Sequence, residues 1–261
     1  MSDDLGDRMK MYERLEAGRR FMPLLPIYAR IDGRNFSKFT KPMDRPFDER
    51  LCACMVETTR RLVADTGALA GYTQSDEISL LWYSPTAKSQ VFFDGKLFKV
   101  VSVAAAMATS YFIEAAREHW PDRLSGLTFD CRAYQLPNKD EAANAFLWRE
   151  LDATKNAVSM AARFYYSHKA LHGQGQADMQ EMLFQKGVNF NCYPARFKRG
   201  TFVLRRTVFK ELEPEVLARI PPGKRPDGPI ERQVVGPVEM PIFKTVTNRV
   251  AVLFENADPE S

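Results

Sequence analysis

The sequence predicts an α+β fold, with an antiparallel or mixed sheet and helices packed on one face. Three observations point there. Helical and extended segments follow the order α-β-α-β-β-α-β-α over the first 170 residues. Two of the strands are separated by a short polar turn of hairpin length. The chain has 261 residues, 45% hydrophobic and 27% charged, which is a globular composition. At about 150 residues per domain it holds one large domain or a domain with an appendage. The element order is close to a ferredoxin-like split βαβ. Disorder throughout, collagen, a coiled coil and a disulfide scaffold are excluded on composition.

Each element has a local cause. Residues 2–20 read as a helix, with Ser2 and Asp3 at its start and Met9, Tyr12 and Leu15 on one face. Pro23 and Pro26 end it. Pro26 to Ile31 reads as a strand that runs into Asp32-Gly33. Asp48 is the N-cap of a helix to Thr66, with Leu51, Met55 and Leu62 on its apolar face and Gly67 as its stop. Ala68 to Thr73 and Ile78 to Tyr83 are strands flanking Gln74-Ser75-Asp76-Glu77.

Lys96 to Trp120 is a long Ala-rich helix. Its most apolar run, Val100 to Ile113, is 14 residues, short of the about 20 that span a bilayer. It reads as a buried helix, and no membrane partner is expected. Phe92, Phe93, Phe98, Phe112 and Trp120 read as core. Leu127 to Tyr134 is a strand. Asn138 to Leu171 is helical with breaks, opened by Asn138 and Glu141 in the manner of a capping box.

The chain divides into residues 1–170 and a C-terminal segment, 171–261, of different character. His172 to Gln176 reads as a loop, as does Pro221 to Pro229 with its four prolines and two glycines. Gln233 to Phe254 carries strand-like patches. The net charge is only +4, yet Lys186 to Arg225 holds ten basic and three acidic residues, a local +7 that leaves −3 elsewhere. A stretch of this kind can follow a phosphate backbone or simply be a solvated surface. Cys52, Cys54, Cys131 and Cys192 lack zinc-site spacing. They read as structural free thiols in a cytoplasmic protein.

Two short motifs carry chemistry. In Arg30 to Phe39 an apolar strand ends in Asp32, and Gly33 then lets backbone groups approach a metal or phosphate closely. In the second motif Asp76 and Glu77 sit at a hairpin tip between apolar strands. Alone, each is an ordinary turn. Together, the connection between them can bring Asp32 and Asp76 to the same end of one sheet. Two carboxylates sharing a site repel unless a cation offsets them. A hard, oxygen-liganded ion such as Mg²⁺ suits them, and two such ions serve phosphoryl and nucleotidyl transfer.

Ile31-Asp32-Gly33-Arg34-Asn35-Phe36 and Gln74-Ser75-Asp76-Glu77 resemble the motifs of the tRNA(His) guanylyltransferase family and its Thg1-like relatives. Further elements agree in order: Arg45-Pro46-Phe47-Asp48, Lys96 and Lys99 before Ser102, Phe129-Asp130-Cys131-Arg132, Leu147-Trp148-Arg149 and Lys198-Arg199-Gly200-Thr201. The resemblance implies a polymerase/cyclase-like palm with a C-terminal extension, extending RNA in the 3′–5′ direction. A tRNA 5′-phosphate is first activated by ATP or GTP, and the 3′-hydroxyl of an incoming nucleotide then attacks that end. Two Mg²⁺ ions would be held by Asp32, the Gly33 carbonyl and Asp76, with Glu77 as the third acid. Nucleotide contacts map to Asp32, Gly33, Arg34, Asn35, Phe36, Ser37, Arg45, Asp48, Ser75, Asp76, Lys96 and Lys99. RNA contacts map to Arg132, Arg149, Asn156, Lys198 and Arg199, and a tetramer is implied.

Four departures favour the Thg1-like branch, which is associated with templated 5′-end repair. A His-x-Asn-Asn element is represented by Thr154, Lys155, Asn156 and Ala157, of which only Asn156 matches. Ser37 replaces a histidine. Met179 stands where a lysine is expected, and Thr73 where a glycine is. Two other readings stay open: a palm-fold RNA-binding protein without catalysis, and a nucleotidyltransferase or cyclase acting on free nucleotides.

Overall fold

The computed structural model describes residues 4–226 and 228–261. Its elements are α1 (Asp4–Ala17), β1 (Ile27–Arg34), α2 (Phe36–Phe39), α3 (Glu49–Thr66), β2 (Ala70–Gln74), β3 (Glu77–Trp82), α4 (Leu97–Ala116), β4 (Thr128–Gln135), α5 (Lys139–Tyr165), α6 (His168–Leu171), α7 (Gln176–Gln185), α8 (Ala195–Arg199), β5 (Thr201–Lys210), α9 (Pro214–Arg219), β6 (Ile230–Val238) and α10 (Arg249–Phe254). The six strands form one sheet in the order β4-β1-β3-β2-β5-β6. Every pairing is antiparallel. The first four strands, with α3 and α4 as crossovers, make the split βαβ arrangement.

Strand alternation explains the layers. On β1, Ile27, Ala29 and Ile31 point to one face, where Met55, Leu62, Val63, Ala104, Ala108 and Phe112 of α3 and α4 complete a buried core. Each fully buried Ile, Leu, Val, Met or Phe side chain there contributes about 1.5–3 kcal/mol. Tyr28, Arg30 and Asp32 point to the other face, which α5 covers, so helices pack on both faces of the sheet and not on one. There Tyr28 joins Phe146 of α5, Tyr72, Phe202 and Phe243 in a second cluster. Helix α4 is long and apolar enough to cross a membrane by length and composition. In this fold its Val100, Ala104, Ala108, Phe112 and Ala116 face is buried in the first core.

Local capping sets the helix limits. The Asp48 carboxylate accepts from the Arg50 and Leu51 amides, and Gly67 closes α3 in the left-handed region. Asn138 accepts from the Glu141 amide at the start of α5.

Several expectations are corrected. The apolar residues of α1 have no core to enter: none of that helix is buried, and Met9, Tyr12 and Leu15 are exposed. Ser2 and Asp3 lie outside the described residues. The long apolar helix ends at Ala116, not Trp120. Phe93 and Phe98 are exposed, whereas Phe112 and Trp120 are buried. Residues 249–254 are helical, with Val252 and Leu253 packed under α5.

The part of the C-terminal segment that sequence reading did not resolve is β5. It pairs with β2 through Thr73↔Thr201 and then carries β6, so residues 201–238 extend the same sheet. Gly200 makes the entry possible. Its φ is +73°, and a Cβ there would stand 2.5 Å from the Thr73 carbonyl oxygen. Arg205 fixes the new strand to α3 by donating to the carbonyls of Val63, Ala64 and Ala68.

Candidate active site

The β1/β3 and β1/β4 registers place residues on the α5 side of the sheet in rows. Asp130, Asp32 and Glu77 stand side by side across β4, β1 and β3. The next row is Arg132, Arg30 and Ser79, and the third is Tyr134, Tyr28 and Leu81. An acidic row therefore borders a basic row, which borders an aromatic one.

The two motifs are stitched together at the acidic end. The Gly33 amide donates to the Asp76 carbonyl at 3.1 Å. That bond ties the end of β1 to the β2–β3 turn, where Ser75 takes a φ of 50°. The loop after Asp32 is pinned from below. Asn35 adopts a left-handed conformation with a φ of 66°. The Phe36 ring turns back beneath Gly33 to meet Phe112 and Phe129. A Cβ on Gly33 would lie 2.4 Å from that ring, so glycine is required by close approach.

Asp32 and Asp76 are half-buried at this corner. Burial pushes the Asp76 carboxyl above its usual range, and the neighbouring Asp32 charge adds to that, against the Ser75 hydroxyl and a backbone bond. A carboxylate whose charge is disfavoured by burial and by a neighbouring acid fits a cation. Among the described residues no three His, Cys, Asp or Glu side chains converge as a ready metal cluster. Asp32 and Asp76 alone suit an ion that completes its shell with waters and substrate phosphates.

Glu77 is held elsewhere. Arg149 of α5 grips it with a two-pronged pair at 2.6 and 2.9 Å and also donates to Asp152 at 3.0 Å. Arg30 stands 3.9 Å from the same carboxylate. Burial raises the Glu77 carboxyl, opposed by Arg149 and Arg30. Arg149 is only 5% exposed. It was expected to face RNA and instead braces the acidic row from within the fold.

Beside the corner, a cavity is lined by Arg45, Asp48, Ser75 and Asn156, with Phe47, Met55 and Phe197 among its apolar walls. Asp48 is buried there. Arg50 and the Leu51 and Asp44 amides hold its carboxyl below the usual range despite its desolvation. Arg45 donates to the carbonyls of Thr40 and Lys41.

Lys96 and Lys99 are not brought to this place within one chain. The Lys96 backbone bridges to that of Arg20 at the other end of α4, while Phe112 of that helix meets Phe36. Thirteen residues of helix, about 20 Å, separate Lys99 from Phe112. The basic stretch is also less available than its charge suggests. Lys198 donates to the Asn191 carbonyl, Arg199 leans toward buried Glu150, Arg196 pairs with Glu49, and Arg206 pairs with Asp258. Arg132 does remain solvent-facing. Sequence reading missed Asp130 and Arg30 as members of the rows; the period-2 alternation of the two strands was the signal that could have found them. The cysteines are free. Burial pushes Cys54 up to about 11 and Cys131 up to about 12, so neither is a thiolate at neutral pH.

Residues 6–137 match the family model of tRNA(His) guanylyltransferase, Thg1. The chain belongs to the tRNA(His) guanylyltransferase family. The Schizosaccharomyces pombe tRNA(His) guanylyltransferase is 31% identical over 218 residues, covering 78% of this chain and 81% of that protein. A bacterial Thg1-like protein in complex with ATP superimposes with a TM-score of 0.73 at 41% identity, over 77% of this chain and 88% of that one. A bacterial Thg1-like protein in complex with GTP gives 0.74 at 34% identity, over 93% and 94%. Among these nucleotidyltransferases, the two motifs joined here by Gly33 and Asp76 lie within the span matched by the family model.

Proposed function

We propose that this chain adds nucleotides to the 5′ end of tRNA in the 3′–5′ direction, selecting each by pairing with the opposite strand. The observation that carries the reading is the Gly33–Asp76 backbone bond. It holds two mutually repelling carboxylates at one rigid corner beside a cavity. Asp32, Asp76 and the Gly33 carbonyl would hold Mg²⁺, which lowers the pKa of an attacking hydroxyl and offsets charge on the leaving pyrophosphate. The bacterial relatives' complexes with ATP and GTP support a nucleoside triphosphate as activator.

In the first step an RNA 5′-phosphate oxygen attacks the α-phosphate of the triphosphate and expels pyrophosphate. In the second, the 3′-hydroxyl of the incoming nucleotide attacks the activated 5′-phosphate and expels the nucleoside monophosphate. The chain's residues orient these groups. Ser75 and Arg45 face the cavity, Asp48 forms part of its wall, and the Phe36 anchor keeps the Asp32 loop from moving with the ligand. Arg149 fixes Glu77, so the neighbouring Asp32 meets a constant field.

Templating is supported by Thr154 and Ala157 in place of the His and the second Asn of a His-x-Asn-Asn element, and by Ser37 in the loop. Fewer fixed groups are left to impose one base, while a wrong pair leaves buried polar edges without partners. The test uses two 5′-truncated tRNAs that differ in the base opposite the gap. Complementary addition on both is expected. A G added to each regardless of that base contradicts templating.

A further inference from the structure

We infer that Trp148 is a stacking platform for a terminal base of the RNA, and that Arg132 beside it takes a backbone phosphate; this rests on the RNA substrate proposed above. Trp148 projects from α5 on this side of the sheet, against Arg30, and is 50% exposed. Two guanidinium groups steady its ring: Arg149 at 4.5 Å and Arg30 at 5.7 Å from the centroid. An indole held this way keeps its orientation without ligand, and half of its surface stays open. Arg30 is two residues from Asp32 on the same face, about 6.6 Å along the strand, so the ring stands next to the acidic row.

The surroundings select the occupant. Arg132 lies across from Arg30 in the register, with a side chain 62% exposed. Its nearest acid, Asp130, is 3.8 Å away, outside hydrogen-bond range. Tyr134 is 37% exposed in the next row and tilts against Tyr28. Exposed aromatic rings interleaved with arginines match the flat faces and negative backbone of a single-stranded nucleic-acid end.

The experiment exploits tryptophan count. The chain has three tryptophans; Trp82 and Trp120 are buried, so Trp148 is the one that solvent or RNA can reach. The probe is a 5′-monophosphorylated acceptor-stem hairpin with a single-stranded 3′ end, titrated without nucleotide. Saturable quenching of indole emission is expected, and Trp148→Phe should abolish the quenching while keeping RNA affinity. Trp148→Ala should raise the KM for RNA about 5-fold or more, with the KM for nucleotide triphosphate unchanged.

Absence of quenching together with an unchanged RNA KM in Trp148→Ala overturns the platform and leaves 5′ addition standing. Quenching with no nucleotide addition by the wild-type chain does the reverse. Emission that shifts with protein concentration and ignores RNA assigns the ring to a contact between copies and also overturns the inference.

Discussion

The two faces of the central sheet are built from alternate residues of the same strands, yet they are held by different forces. Under α3 and α4, Ile27, Ala29 and Ile31 of β1 join a large apolar cluster. Under α5, Tyr28, Arg30 and Asp32 meet charge, hydroxyls and aromatic rings. One face is stabilised by burial, which tolerates no polar group without a partner. The other keeps charges at a cost that hydrogen bonds offset. The comparison teaches that a one-residue step along β1 separates stability from chemistry, so substitutions on the two faces should fail in different ways.

The largest stability effect is expected on the polar face. Arg149→Met leaves the Glu77 carboxylate buried without its partner, a loss of about 3–5 kcal/mol, read by urea denaturation. The sign with pH is fixed. Without Arg149 the Glu77 pKa in the folded state rises further, so the destabilisation grows as pH climbs toward that raised value, is level above it and shrinks in acid. Adding Glu77→Gln to the same chain should recover much of the loss. If the single variant is as stable as wild type, the Arg149–Glu77 pair does not brace the face.

On the apolar face, Leu80→Ala should cost about 2–5 kcal/mol by cavity formation. Leu80 is fully buried opposite Ala29. The KM and kcat per folded molecule should stay near wild type below the melting transition. A selective loss of kcat there would break the separation between faces.

A smaller effect is expected where the C-terminal strands meet the palm-like half. Arg205→Ala removes three bonds to carbonyls near the end of α3, about 1–3 kcal/mol. Hydrogen exchange should report the loss at the β2–β5 junction. Exchange that is unchanged across β5 would mean that strand pairing alone holds it.

The smallest effect is a gain. Asp76 has a raised pKa in the folded state, so its charged form opposes folding above that pKa. Asp76→Asn should therefore melt slightly higher than wild type in metal-free buffer at neutral pH. The gap should close as pH falls below the unfolded carboxyl value of about 3.9, and also when Mg²⁺ is added to wild type. A lower melting point for the variant would contradict the burial, with the added Asp32 charge, that raises the Asp76 carboxyl.

Much of this was legible in the chain. Asp48 and Gly67 marked both ends of α3, and the apolar flanks of Gln74 to Glu77 marked the hairpin that carries Asp76. These signals are local, and local capping and alternation decide them. Arg149 was legible as part of a Trp-Arg element but not as a buried brace, because its partner Glu77 is 72 residues away. Lys96 and Lys99 were near the site in motif order only; a rigid helix carried them to its far end. The β5 strand was hidden by its charge. Arg205 and Arg206 interrupt the apolar run, and the carbonyls and Asp258 that accept from them are visible only after folding.

The central claim is that Asp32 and Asp76 together perform chemistry at an RNA 5′ end. Its most direct test incubates wild type and Asp32→Ala with a 5′-truncated tRNA, labelled nucleoside triphosphates and Mg²⁺, and follows the RNA 5′ end. Extension by wild type and background incorporation by Asp32→Ala are expected, with a cooperative melting transition for the variant in metal-free buffer that is no lower than that of wild type. Undiminished extension by Asp32→Ala, or triphosphate consumption by wild type that does not depend on RNA, would contradict it.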